Sequence, residues 1–226
     1  MREYDYIIVG AGSAGCVLAE RLSASGRNRV LILEAGGRGR SPWIALPVGY
    51  GKTYFDPAVN WKFEAEPEEA LGGRRAYWPR GKVVGGSGAI NALVYARGLP
   101  RDFEDWEAAG ATGWGWDTVR ATYEEMETQI GADGQRRGKG PLHVQDVSDQ
   151  IHPATRHYFA GVRELGLPVT EDINSDTNEG AAIYRINTSG GRRMHSARAF
   201  LSPALRRSNV TLITDVMVET IQFEDR

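Results

Sequence analysis

Three glycines and one acid are the first residues here whose types and spacing could do chemistry. Gly10, Gly12 and Gly15 stand in G-x-G-x-x-G spacing, and Glu34 follows 19 positions after Gly15. The first glycine permits a tight turn, the second lets backbone approach a pyrophosphate, and the third lets a helix pack closely on a strand. Free N–H groups and a partial positive charge at a helix N-terminus suit phosphates. Glu34 is placed to accept hydrogen bonds from the ribose hydroxyls of an adenosine. The chemistry is dinucleotide binding, and the acid favours FAD or NAD over NADP. An ordinary strand–turn–helix with incidental glycines leaves Glu34 without a role. A second candidate stretch, Trp78 to Gly98, packs Gly81, Gly85, Gly86 and Gly88 into eight residues beside Arg80 and Lys82. Such a turn ahead of a helix-like run can close on an anion or a flat ring, or can be purely structural.

The elements that must position these groups are legible in the same stretches. Tyr6 to Val9 is a short apolar run with the composition of a strand buried on both faces. From Cys16 the pattern turns helical, with Val17 or Leu18 and then Arg21 and Leu22, and Gly26 stops it. Val30 to Leu33 is a second strand that ends in Glu34. Residues 43–80 scatter Trp43, Tyr50, Tyr54, Phe55, Trp61, Tyr77 and Trp78 through a long irregular segment, the pattern of a functional cover. These aromatics are expected to pack beneath that cover rather than touch a ligand. Phe103 and Trp106 share a short acidic helix. Val119, Tyr123 and Met126 mark another, with Asp117 as its expected cap. Tyr158, Val162 and Leu165 mark a third, ended by Gly166. Residues 131–140 form a polar loop, 182–188 alternate like a strand, and Ser189-Gly190-Gly191 is its expected hairpin turn. Ser196 is expected to cap a short helix, and Val210 to Ile213 is a third apolar strand.

The totals exclude several function classes. The chain has 226 residues, room for one large or two small domains, and 41% apolar residues to build a core. A net charge of −2 without a long basic run argues against a nucleic-acid or anionic-membrane partner. Its one cysteine, Cys16, cannot form an internal disulfide and fits a reducing compartment as a small packing residue. The opening Met1-Arg2-Glu3-Tyr4-Asp5 leaves no room for a signal peptide, and no apolar stretch reaches the roughly 18 residues of a membrane span. The expectation is a cytoplasmic protein without a metal site.

The stretch Pro79-Arg80-Gly81-Lys82-x-x-Gly85-Gly86-Ser87-Gly88-Ala89-Ile90-Asn91 resembles the first signature of the glucose–methanol–choline oxidoreductases, FAD-dependent enzymes that oxidise alcohols. Gly88 stands where the usual GGSS has its second serine. Asp102-Phe103-x-x-Trp106, Gly113-Trp114-x-Trp116, Gly140-Pro141-Leu142-His143-Val144, Asp172-x-Asn174, Glu179-Gly180 and Arg193 with Ser196 to Leu201 match further segments in order. The likeness spans essentially the whole chain and is nearest the choline-dehydrogenase-like branch, as its N-terminal portion only.

This resemblance implies an α/β fold: a Rossmann-like FAD-binding domain with the start of an α+β substrate domain built on an antiparallel sheet. Residues 1–150 are its first FAD-binding segment, 151–195 begin the substrate domain, and 196–226 return to the FAD-binding domain. It implies hydride transfer from an alcohol to the flavin N5 while a base takes the hydroxyl proton. Carried over by position, Gly10, Gly12, Ser13, Ala14, Gly15, Glu34 and Ala35 hold the ADP half of FAD. Gly85, Gly86, Asn91, Ala92, Leu93 and Val94 lie toward the isoalloxazine, and the Val218 backbone meets the adenine. Where some members tether flavin through a histidine this chain has Ile90, so the implied FAD is non-covalent. The family's catalytic histidine lies beyond Arg226, and none of His143, His152, His157 and His195 matches its motif. The expected partners are a small alcohol and a C-terminal portion, in a longer chain or a second one, and the sheet is expected to expose an apolar face without it. Two other readings compete. An NAD-binding Rossmann reductase has no use for the second glycine loop, and no Tyr-x-x-x-Lys pair is present. A non-catalytic FAD-binding module is the other.

Overall fold

β-Branched residues and leucine set the first sheet. The computed structural model describes residues 3–175 and 177–223, and the chain divides into two units, residues 1–92 with 190–226 and residues 93–189. Glu224 to Arg226, where the resemblance expects the family to continue, lie outside the described residues. In the first unit β1 (Tyr6–Val9), β2 (Val30–Glu34) and the strand Val210–Thr214 form a parallel sheet with β2 in the middle. Ile8 pairs with Ile32, and Val210 pairs with Val30. Parallel strands need a crossover, and α1 (Ser13–Ser23) supplies it. α1 turns Cys16 and Ala19 fully inward. The Cys16 thiol donates to the Ala11 carbonyl, and burial together with nearby Glu34 pushes its pKa up to about 12. It is an inert packing group, as its position suggests.

β1 is not buried on both faces. Ile8 is 8% exposed, but Ile7 and Val9 are 59% and 58% exposed. β1 is an edge strand, and α1 covers only the face that carries Ile8. The opposite face, which also carries Ile213 at 42%, is uncovered among the described residues. The exposed apolar face expected from the sequence is therefore present. The most buried strand is β2, with Val30 and Ile32 at 0% and Leu31 at 9%, because strands flank it on both edges.

The second unit holds a five-stranded sheet in the order Val94–Tyr95, Arg185–Ile186, Leu142–Gln145, Glu127–Ile130, Arg136–Gly138. Its pairs are antiparallel except 127–130 with 142–145, so the sheet is mixed. The unit limits at 92 and 189 differ from the functional boundaries expected at 150 and 195, because these strands bond into one sheet. Helices Pro100–Ala108, Trp116–Met126 and Thr155–Glu164 fall where the apolar spacing places them.

Three local expectations fail. Gly115, not Asp117, is the N-cap residue of Trp116–Met126, and Asp117 lies in the helix's first turn. Ser196 precedes the wide turn Ala197–Leu201 without a side-chain cap bond. The aromatics of residues 43–80 do not fill the interior: Trp43, Tyr50, Phe55 and Trp78 are all exposed, and Ile44, Val59, Val83, Ala89 and Ile90 form the core cluster instead. Short turns such as Pro42–Ala45 and Tyr50–Thr53 are too small to enclose rings, which stack on one another at the surface. Among the described residues no helix is long and apolar enough to cross a membrane.

Candidate functional site

The two glycine loops touch, and most of their glycines are needed by the protein's own packing. Gly10 has φ +94 and donates to the Leu33 carbonyl at 2.7 Å. A Cβ on Gly15 would lie 2.1 Å from the Gly10 carbonyl oxygen. Gly85, at φ +100, donates to the Ala11 carbonyl at 2.7 Å, and a Cβ on Gly86 would come within 2.8 Å of the Gly12 Cα. Gly12 differs. A Cβ there would meet nothing within 4 Å, and the residue lines an open cleft. No neighbour requires glycine at this position, which leaves its backbone open to the cleft.

That cleft has a volume of about 520 Å³ and is lined by Gly10, Gly12, Ser13, Glu34, Ala35, Gly86 and Val218 among others. The N-terminus of α1 opens on it through Gly12 and Ser13, with neither a side-chain cap bond nor an acidic residue in the first turn. Its N–H groups are thus available to an anion. Glu34, only 6% exposed, accepts from the Ala11 N–H at Oε2 and the Gly36 N–H at Oε1, both at 2.8 Å. Each oxygen keeps capacity for a further donor. The carboxylate therefore ties two loops together while it faces the cleft.

Other expected residues sit elsewhere. Ala14 and Gly15 lie within α1, and Gly85 serves as a spacer beside the His195 ring. Asn91 accepts from Arg193 Nη1 at 2.8 Å, and with Ala92 it ends the first unit. Leu93, at φ +67, and Val94, paired with Ile186, begin the second. Ile90 is 3% exposed within the core cluster.

The sequence reading missed Trp61, Phe63 and Arg80 as cleft-lining residues. Trp61 and Phe63 stack at 5.7 Å, and the Lys82 ammonium sits 4.7 Å from the Trp61 ring centroid. Their spacing of two, which puts both rings on one side of an extended segment, is the signal that marks them.

None of the four histidines lines the cleft. His143 lies between Ser189 Oγ and Arg136, the His152 ring accepts from the Ala154 N–H, and His157 is exposed. His195 is partly buried, and burial together with Arg193 and Arg198 pushes its pKa down to about 4. The unfolded chain binds this proton below about pH 6.5, whereas the folded state refuses it until about 4. Stability is therefore expected to fall by roughly 3 kcal/mol as pH drops through that window in anion-poor buffer, and His195→Gln is expected to remove the slope. Denaturant melts of both proteins between pH 4 and 7 check this, and equal slopes refute it.

Comparison with known proteins fits this geometry. Residues 4–226 match the sequence family described as GMC oxidoreductase. The chain belongs to that family. It is 40% identical over 225 residues to an alcohol dehydrogenase (acceptor) of Pseudomonas putida, covering 99% of this chain and 41% of that protein. It is 42% identical to an oxygen-dependent choline dehydrogenase of Vibrio vulnificus, covering all of this chain and 40% of the relative. Among solved structures, pyridoxine 4-oxidase from Mesorbium loti superposes with a TM-score of 0.86 at 36% identity, over 94% of this chain and 42% of that one. An FAD-dependent oxidoreductase from Chaetomium thermophilum gives 0.83 at 26% identity, over 93% of this chain and 38% of that one. As a GMC oxidoreductase, the chain thus spans about 40% of the length of the curated relatives it matches.

Proposed function

We propose that these residues form the FAD-holding part of an enzyme that oxidises an alcohol to an aldehyde or ketone. The observation that carries this reading is the cleft in which the G-x-G-x-x-G turn, the buried Glu34 and the second glycine loop converge. In this reading Gly12, Ser13 and the N-terminus of α1 receive the pyrophosphate, with Ala14 and Gly15 behind them. Glu34 and Ala35 receive the ribose, and the Val218 backbone receives the adenine. Gly85, Gly86, Asn91 and Ala92 lie toward the flavin ring. When bound, the flavin supplies a hydride acceptor for the alcohol carbon.

Residues 151–195 begin the substrate domain in this reading, and 196–226 return to the nucleotide domain. The base, and most of the alcohol pocket, come from polypeptide beyond residue 226, in the same chain or a second one. The buried Ile90 offers no nucleophile, so the FAD is held without a covalent bond. The single buried cysteine is in keeping with the cytoplasm.

The test is the visible spectrum of the purified protein before and after anaerobic addition of a primary alcohol. Flavin bands that bleach are the expected result when the polypeptide beyond residue 226 is present, and flavin bands that persist are expected without it, with free FAD in the supernatant after acid precipitation in either case. A protein that carries NAD instead refutes the reading, and flavin that stays with the precipitate refutes the non-covalent assignment. Glu34→Ala is expected to weaken FAD binding by roughly 1.5–3 kcal/mol, since it removes a charge-assisted acceptor. Fluorescence titration of apoprotein measures this, and unchanged affinity means that other groups hold the ribose.

A further inference from the structure

A second cavity in the first unit has no part in the cofactor reading, and its walls are one-sidedly cationic. It measures about 430 Å³ and is lined by Arg38, Arg192, Arg193, His195, Arg198 and Ser202 among others, with no acidic residue. Arg193 is the informative member. Its side chain is among the most buried in the protein, at 1% exposure. Nε donates to the Ile44 carbonyl at 3.0 Å, and Nη1 to Asn91 Oδ1 at 2.8 Å and the Gly88 carbonyl at 3.3 Å. Nη2 is buried and has no hydrogen-bond partner among the described residues, and the same holds for His195 Nδ1. None of the four arginines forms an ion pair among the described residues.

A buried guanidinium held only by neutral acceptors, with one nitrogen unsatisfied, is costly unless an anion completes it. The planar fork of arginine suits an oxyanion, and three further guanidinium groups at the rim raise the local concentration of one. We propose that Arg193 and His195, with Arg38, Arg192 and Arg198 around them, bind a small oxyanion at a site separate from the nucleotide cleft. The ligand is a phosphate or a carboxylate, free in solution or carried on polypeptide outside the described residues. Because Arg193 also holds Gly88 and Asn91, the anion braces the second glycine loop from within the same unit.

The test follows the His195 imidazole by NMR in labelled protein, assigned through His195→Gln. Inorganic phosphate and acetate are titrated against chloride at constant ionic strength. The charged groups that act on the ring are Arg193 and Arg198 of its own segment, and Arg192 beside them and Arg38 from the loop after β2 line the same cavity. With a free anion as ligand, millimolar phosphate or acetate moves the His195 midpoint upward from near 4 by at least one pH unit. In the R38A/R192A variant, which removes two exposed rim charges, half-saturation then needs at least tenfold more anion. With a polypeptide carboxylate as ligand, His195 already titrates near 6 or above without additives, and R38A/R192A lowers that midpoint. A midpoint near 4 that neither phosphate nor acetate moves overturns the proposal, and so does an equal response in the variant. Flavin content is read in the same samples, so loss of the cofactor is distinguished from loss of the anion.

Discussion

Gly15→Val is expected to abolish flavin retention and to destabilise the first unit by at least about 3 kcal/mol, the upper end of ordinary overpacking. A Cβ at this position would stand 2.1 Å from the Gly10 carbonyl oxygen and 3.2 Å from Ile8 Cγ2. The near obstacle is backbone, so no rotamer change relieves it. Sliding α1 away is also blocked. Arg207 donates to the Glu20 carbonyl and to Ser23 Oγ at 2.6 and 2.7 Å, and Asn209 donates to the Ser23 carbonyl at 3.1 Å. These bonds hold the far end of the helix against the segment that leads into the strand Val210–Thr214. The strain is therefore taken at the N-terminal end of α1, where the N–H groups aim at the cleft. Gly12→Ala is the informative control, because its Cβ meets no protein atom within 4 Å. It is expected to leave the melting temperature nearly unchanged while it weakens flavin binding. Thermal melts with and without added FAD check both variants, and a Gly15→Val protein that melts like the wild type refutes the packing argument.

That contrast shows what was legible in the sequence. Gly10, Gly12, Gly15 and Glu34 were readable because their work is local. A turn, a helix start and an acid at the end of the next strand stand in fixed order along 25 residues. The helices were readable from their apolar spacing for the same reason. Roles set by long-range packing were not. Arg193 meets Ile44 across 149 residues, and His195 rests on Gly85, so neither spacing nor composition marks them. Ile7 and Val9 look like buried strand residues because burial depends on which strands flank β1, and composition cannot show that. Trp61 is expected to pack inward from the general habit of large rings to bury, and Phe63 carries no motif of its own, whereas this segment has too little regular structure to cover them.

The second unit buries a carboxylate that no motif identifies, and its removal is expected to have the largest effect on stability in the protein. Glu127 is 2% exposed, yet its carboxylate meets Arg97 at both oxygens, Nε at 3.0 Å and Nη2 at 2.5 Å. It also accepts from the Tyr95 hydroxyl and from Gln129 Nε2. Burial and this carboxylate push the Tyr95 pKa upward, so the phenol stays protonated as donor. Arg97 in turn lies over the Tyr123 ring at 5.1 Å, which links the sheet to the helix Trp116–Met126. Glu127→Ala leaves the Arg97 guanidinium, 15% exposed, without its counter-ion, and a cost of about 3–5 kcal/mol is expected. Double replacement, Glu127→Leu with Arg97→Met, removes both charges and is expected to restore most of that loss, because the net contribution of a buried pair is far smaller than the cost of breaking it. Urea melts of the two variants decide the matter. A double variant as unstable as Glu127→Ala would mean that the Tyr95 and Gln129 bonds, rather than the orphaned charge, carry the stability.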